Sequence, residues 1–348
     1  MQPPEIADEP QILDRFAGAL HACGVVGEDR IGKLVYLAIT SRLLDEPVSE
    51  AIKGLSSSGK SYVVEQVTRF FPDSAYIEMT AMSERALVYD KRDFAHRTIV
   101  LFEAVALREQ REKTESNLTA YFVRSLLSEG RIRYLVTVRD KEGNWTTKVI
   151  EKNGPTNLIL STTATSLHGE NETRMLSVPT NDSADQTKAV LLETAKQRFR
   201  RSAMVDLSEW RRFQTWLDTA EHRVVIPFAE YLAKNIPPVA VRLRRDFKAI
   251  LGLIEAHAIL HQQNREKDED GCRVGQGRGG TKGDRGGWPL CRRPIRGLPA
   301  SPPSCRNRAR CQKRAHPNPD HARLGSRYRG WGLPCALTAP ASRARRTW

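Results

Sequence analysis

The sequence predicts an α/β fold with a parallel central sheet, a β-hairpin insertion and a C-terminal run of helices. Three observations carry that prediction. Residues Gly54-Leu55-Ser56-Ser57-Ser58-Gly59-Lys60-Ser61 match the phosphate-cradling pattern G-x-x-x-x-G-K-[ST] at every defined position. Short apolar runs alternate with amphipathic segments between residues 48 and 178, the rhythm of strand–helix–strand units. From residue 184 to 263 the apolar spacing is helical.

Two helices are expected first. Ile12, Leu13, Phe16, Ala17 and Leu20 recur at helical spacing, and residues 31–44 repeat it before Asp45-Glu46-Pro47 ends the run. Residues 48–53 alternate like a short strand, and 62–71 read as an amphipathic helix, so the glycine loop lies between strand and helix. Residues 75–78 follow as a strand, 83–89 as a helix, and 96–102 as a strand apolar enough to be buried on both faces. The next helix, 117–129, is expected to turn Leu118, Tyr121, Phe122, Ser125 and Leu126 inward. Segments 132–139 and 145–150 flank Asp140-Lys141-Glu142-Gly143-Asn144, a turn-forming loop, and read as a hairpin. Residues 157–163 and 175–178 complete the sheet. Helices are expected at 184–200, 206–219, 226–235 and 238–263, the last opening at Pro237-Pro238, because proline is tolerated in a first turn. The expected division is N-terminal helices at 1–46, a nucleotide-binding core at 47–182, a helical lid at 183–268 and a tail at 269–348.

The net charge of +14 is misleading as a whole-chain figure. Residues 271–348 carry 18 basic and 2 acidic side chains, while 1–270 carry 37 and 39, so the body is near neutral. The tail also holds five of the six cysteines, 12 glycines and 9 prolines, with only 7 Val, Ile, Leu or Phe in 78 residues. Such a composition cannot offset the entropy of ordering with a core. Its charge alone suits a disordered nucleic-acid arm. Its cysteine spacing contains no C-x₂₋₄-C pair and argues against a zinc module. The abrupt change after Asp270 suits an out-of-frame translation of a GC-rich gene. No run of 18 apolar residues and no secretory n-region is present, so a cytoplasmic location is expected.

The glycine loop carries the chemistry. Glycines let the backbone fold tightly around phosphate oxygens, so that successive N–H groups of residues Ser56 to Ser61 point at the anion. The helix starting at Lys60-Ser61-Tyr62 adds its N-terminal dipole. Lys60 is expected to bridge the β- and γ-phosphates of ATP and Ser61 to offer its hydroxyl to Mg²⁺. Hydrolysis further needs an acid near the attacking water and positive charge for the transition state. Glu103 follows the strand Thr98-Ile99-Val100-Leu101-Phe102, where a carboxylate would project beside the loop and serve the water or the metal. Phe102 stands where an aspartate is usual. Thr162 and Thr163 end another strand and are candidates to sense the γ-phosphate. Arg174, just before the last strand, could complete a neighbouring subunit's site as a finger, or pair on the surface with Glu170 or Glu172.

The order of these motifs resembles that of the AAA+ ATPases, and within them the minichromosome-maintenance helicases. The segment Arg245-Asp246-Phe247-Lys248-Ala249-Ile250-Leu251-Gly252-Leu253-Ile254-Glu255-Ala256-His257-Ala258 is similar to their lid helix, and residues 118–130 to the helix before their hairpin. The resemblance covers roughly residues 48–265. It implies that Arg245 is a nucleotide-sensing arginine, with Arg242 and Arg244 as alternatives, and that the subunits close into a ring. Phe102-Glu103-Ala104 also resembles a bacterial ATPase group associated with primases of phages and mobile elements, which implies a longer C-terminal part.

The hairpin is the expected DNA contact. Arg139, Lys141 and Lys148 can hold phosphates and Trp145 can stack on a base, although Asp140 and Glu142 flank Lys141 and the hairpin reads equally well as solvated. The functions expected are therefore a DNA-acting ATPase in replication, with a primase or other replication protein as possible partner; an ATP-driven protein remodeller or loader; or an inactive truncated fragment.

Overall fold

The computed structural model describes residues 2–102, 118–164, 167, 169–199, 205–265 and 273–274. Helices α1 (Ile12–Ala22) and α2 (Asp29–Thr40) precede strand β1 (Glu50–Lys53), which enters the glycine loop and helix α3 (Lys60–Thr68). Then come β2 (Tyr76–Met79), the single turn α4 (Ala86–Tyr89), β3 (Arg97–Phe102) and α5 (Leu118–Glu129). The antiparallel pair β4 (Arg131–Arg139) and β5 (Trp145–Asn153) separates α5 from β6 (Thr156–Thr162). A short turn, α6 (Gly169–Glu172), leads into β7 (Leu176–Pro179). Helices α7 (Ala184–Phe199), α8 (Ser208–Asp218), α9 (Ala229–Asn235) and α10 (Leu243–Leu260) follow. The two-residue strands β8 (Val224–Val225) and β9 (Arg273–Val274) pair in parallel. The rest of the basic tail lies outside the described residues.

The sheet is five-stranded in the order β2-β3-β6-β1-β7, and every pairing in it is parallel. The glycine-loop strand therefore lies between β6 and β7, with β3 one strand beyond β6. All the C-terminal strand ends point the same way, which gathers the glycine loop, the end of β6 and the end of β3 at one pole. The residues that open β7 lie at the other.

One apolar cluster fills the face covered by α3. It joins Phe16, Tyr36, Val64, Ile159, Trp210 and Phe213, among others, from the N-terminal helices, the sheet and α8. The Trp210 ring meets Phe16, Tyr36 and Phe70 edge-on, with centroids 5.9, 6.0 and 5.5 Å away. Aromatic pairs of this kind each add about 0.5–1.5 kcal/mol beyond area burial. Arg42, fully buried, ties the same layers together. It donates to Gln214 Oε1 at 3.2 Å and to Asp218 Oδ1 at 2.5 Å. The core therefore runs across the divisions expected at residues 46 and 182. Ala256, Ile259 and Leu260 bring α10 into it as well.

Two local expectations change. Tyr121 is 56% exposed, because the inward stripe of α5 runs through Thr119, Phe122, Val123 and Leu126 instead. Helix α10 begins at Leu243, five residues after Pro238. The intervening Val239 and Val241 are exposed β-branched residues, with little burial to offset their poor helix propensity.

Glu50 is the odd group in the core. It is fully buried on β1, and neither carboxyl oxygen has a hydrogen-bond partner among the described residues. Burial pushes its pKa up to about 8, so it is protonated at neutral pH. The folded protein then holds a proton that the unfolded chain releases near pH 4.5. Stability should be highest below that value and fall as pH rises towards 8, by at most about 1.4 kcal/mol per pH unit. Urea unfolding between pH 5 and 8 should show this slope, and Glu50→Gln should flatten it.

Candidate nucleotide site

The glycine loop is built for close approach. A side chain on Gly54 would strike Thr180 Oγ1, and Gly59 holds φ +83° at the N-cap of α3, a conformation that costs other residues energy. The Lys60 ammonium is drawn into the loop, where it donates to Gly54 O at 3.1 Å, Leu55 O at 2.5 Å and Ser58 Oγ at 3.2 Å. Its side chain is buried, so a phosphate entering the loop would meet a charge that water screens poorly. The Ser61 hydroxyl lies 3.2 Å from Ser161 Oγ. A cavity of about 300 Å³ opens here, lined by Ser56, Ser57, Gly59, Lys60, Ser61, Tyr62, Ser161, Thr162 and Thr163.

These residues fit a nucleotide's phosphates: a glycine cradle, a buried ammonium and a helix N-terminus face one space. Among the described residues no cluster of three or more His, Cys, Asp or Glu could hold a metal. Ser61 would offer its hydroxyl to a Mg²⁺, an ion that commonly keeps water and phosphate oxygens as its other ligands.

Glu103 lies outside the described residues. Phe102, the residue before it, pairs with Ser161 at the end of β3 and so stands one strand from the Ser61 hydroxyl. Thr162 and Thr163 both line this cavity. Thr162 follows Leu158 and Leu160 onto the sheet face away from α3, and its hydroxyl accepts from Ala164 N at 3.1 Å. Ser161 shares the α3 face with Ile159, and Thr163 follows just past the end of β6. Ser161 was missed in the sequence. Strand parity could have found it, since Ile159, Ser161 and Thr163 alternate with the leucines.

The arginines are elsewhere. Arg174 donates through Nε to Ser128 Oγ and through Nη1 to Glu170 O. The ion pairs expected with Glu170 or Glu172 do not form among the described residues: Glu170 pairs with Arg124, and Glu172 with Lys53 at 2.5 Å. Arg245 donates to Thr173 Oγ1 at 2.5 Å. Burial and the nearby Arg245 charge hold the Arg174 pKa below its ordinary value. Arg174, Arg244 and Arg245 line a cavity of about 460 Å³ together with Ser49, Thr156 and Leu176. Those last three residues lie at or beside the N-terminal ends of β1, β6 and β7. The arginine pair thus stands at the opposite pole from the glycine loop, with roughly 13 Å of strand between them. Arg242 is engaged locally, by Asp246 at 3.2 Å and Met175 O at 3.4 Å.

A second cavity, about 280 Å³, adjoins the loop and was not foreseen. Gly24, Val25, Glu28, Tyr62, Gln186 and Gln197 line it, so α7 and the α1–α2 connection meet beside Gly59. Gln186 Nε2 donates to Val26 O at 2.6 Å, and the Tyr62 hydroxyl donates to Cys23 O at 3.1 Å.

A parallel sheet, a glycine loop at its C-terminal edge and an ammonium held inside that loop define a P-loop domain, the nucleotide-binding unit of P-loop NTPases. The chain belongs to the family described as the MTBMA_p00010 P-loop domain, which matches residues 12–210. That match begins with α1 and ends within α8, the same elements that share the core. No curated protein matches the chain. No described helix is long and apolar enough to cross a membrane.

Proposed function

We propose that the chain is a Mg²⁺-dependent ATPase of the AAA+ class that works as a closed homo-oligomeric ring and moves DNA. The observation that carries this reading is the separation of the glycine loop from Arg174 and Arg245. A single subunit cannot bring those arginines to its own phosphates, whereas a head-to-tail neighbour can. Phosphates sit in the Gly54–Ser61 loop and the nucleoside in the cavity under α7. Glu103 polarises the attacking water, and Ser161 and Thr163 face the γ-phosphate. The β4–β5 ribbon, with six basic and three acidic residues from 131 to 153 in a near-neutral body, is the DNA contact.

An ATPase assay with and without single-stranded DNA tests the reading. Turnover should rise on adding DNA, and Glu103→Gln should retain ATP binding while hydrolysis falls by about 10²-fold or more. Turnover that ignores DNA would favour the protein remodeller, and full activity in Glu103→Gln would place the base elsewhere.

A further inference from the structure

The β4–β5 ribbon has two unlike faces. Its register pairs Arg131 with Asn153, Arg133 with Glu151, Leu135 with Val149 and Arg139 with Trp145. The odd-numbered residues of both strands therefore share one face and the even-numbered residues the other. The base of the even face turns to the body, while Thr146 and Lys148 on it are exposed. Ile132 is buried, Tyr134 and Ile150 pack on the core, and the Lys152 ammonium lies 5.6 Å from the Phe94 ring centroid. On the odd face every residue is exposed.

The odd face is also chemically distinct. It carries Arg131, Arg133 and Arg139 against a single acid, Glu151. Leu135 and Val149 form an exposed apolar step at its centre. Trp145 is 67% exposed, and the Arg139 guanidinium lies 4.6 Å from its ring centroid, which holds the indole on this face. The turn beyond is rigid for a loop: Asp140 Oδ1 accepts from Glu142 N and Asn144 N, both at 2.9 Å. Arginines, an indole and an apolar step on one solvent-facing ribbon suit a ligand with spaced negative charges and flat apolar faces.

We propose that this odd face binds single-stranded nucleic acid, with Trp145 stacking on a base and Arg131, Arg133 and Arg139 holding phosphates. The inference rests on the nucleic-acid part of the proposed function and adds which side of the ribbon acts. From Arg131 to Arg139 the ribbon extends about 27 Å, room for several nucleotides. A duplex hides the faces of its bases, so stacking on Trp145 selects the unpaired strand. Lys148 points to the even side and makes no contact. Arg131 and Arg133, which sequence order alone does not single out, do.

Fluorescence anisotropy with a labelled oligothymidine and a blunt duplex of equal length tests this on the full chain across a salt series. Each variant keeps the basic tail, and the crosslink map below separates binding at the ribbon from binding at the tail. Arg131→Ala and Arg133→Ala should each weaken single-strand binding and reduce the slope of log K against log salt by about 0.7. Trp145→Ala should lose roughly 5- to 150-fold. Lys148→Ala should change less than twofold. Photocrosslinks from a bromodeoxyuridine strand should map to odd-face residues. If Lys148→Ala loses as much as Arg133→Ala, or the duplex binds better, the face assignment fails while DNA binding stands. If neither oligonucleotide binds the wild type, both this inference and the DNA part of the proposed function fall.

Discussion

Replacing Lys60 with alanine is expected to abolish nucleotide hydrolysis while leaving the fold in place. The ammonium is buried and converges on Gly54 O, Leu55 O and Ser58 Oγ, and in the proposed reaction it would stand where charge develops on the transferring phosphate. Loss of one such preorganised donor costs about 10²–10³-fold in kcat, and loss of a full positive charge in a poorly screened site should cost at least that. Gly54 is only half-buried and Leu55 is exposed, so water can reach the carbonyls it leaves behind, and stability should change by only about 1 kcal/mol. Lys60→Arg is not a mild substitute: a planar guanidinium cannot enter the turn that the compact ammonium fills. The checks are steady-state turnover, nucleotide binding by calorimetry, and a thermal melt. Full turnover in Lys60→Ala would remove the loop from the chemistry altogether.

The loop was legible in the sequence because its geometry depends on residue type. Gly54 and Gly59 stand where a close approach and a positive φ admit little else. The five strands of the central sheet were legible because buried parallel strands are short apolar runs, and each of these was found within about three residues of its place. The two-residue β8 and β9 were not expected. What the sequence hid was set by three-dimensional neighbours. Nothing local says that Trp210 and Phe213 belong with Phe16 and Phe70 rather than with a lid. Helical periodicity reports that a stripe is buried, not which element covers it. Thr162 and Ser161 are equally polar, and only the parity of the strand against α3 separates them. The same holds for Arg139 and Lys148: both are basic hairpin residues, yet cross-strand register puts them on opposite faces. Arg245 was legible as an arginine near the start of a helix, but the pole at which that helix begins is a property of the whole sheet.

That pole decides the second large effect. Arg174→Ala should lower turnover by about 10³-fold or more if the side chain acts as a finger on a neighbour's nucleotide. Loss of activity alone does not distinguish this from local damage, because Arg174 also donates to Ser128 and to Glu170 O. A mixing experiment does. Lys60→Ala subunits keep the arginine edge and lack a working loop; Arg174→Ala subunits keep the loop and lack the edge. Each alone should be inactive. In a head-to-tail ring mixed one to one, about a quarter of interfaces join an intact loop to an intact edge, and activity should reappear in that proportion. Arg245→Ala should follow the same pattern with a smaller loss, since Arg245 shares the cavity but is more exposed. Recovery on mixing requires the two halves to come from different chains. A mixture that stays inactive, with both variants still assembling, would place Arg174 outside the catalytic site and leave the opposite pole of the sheet without a role in hydrolysis.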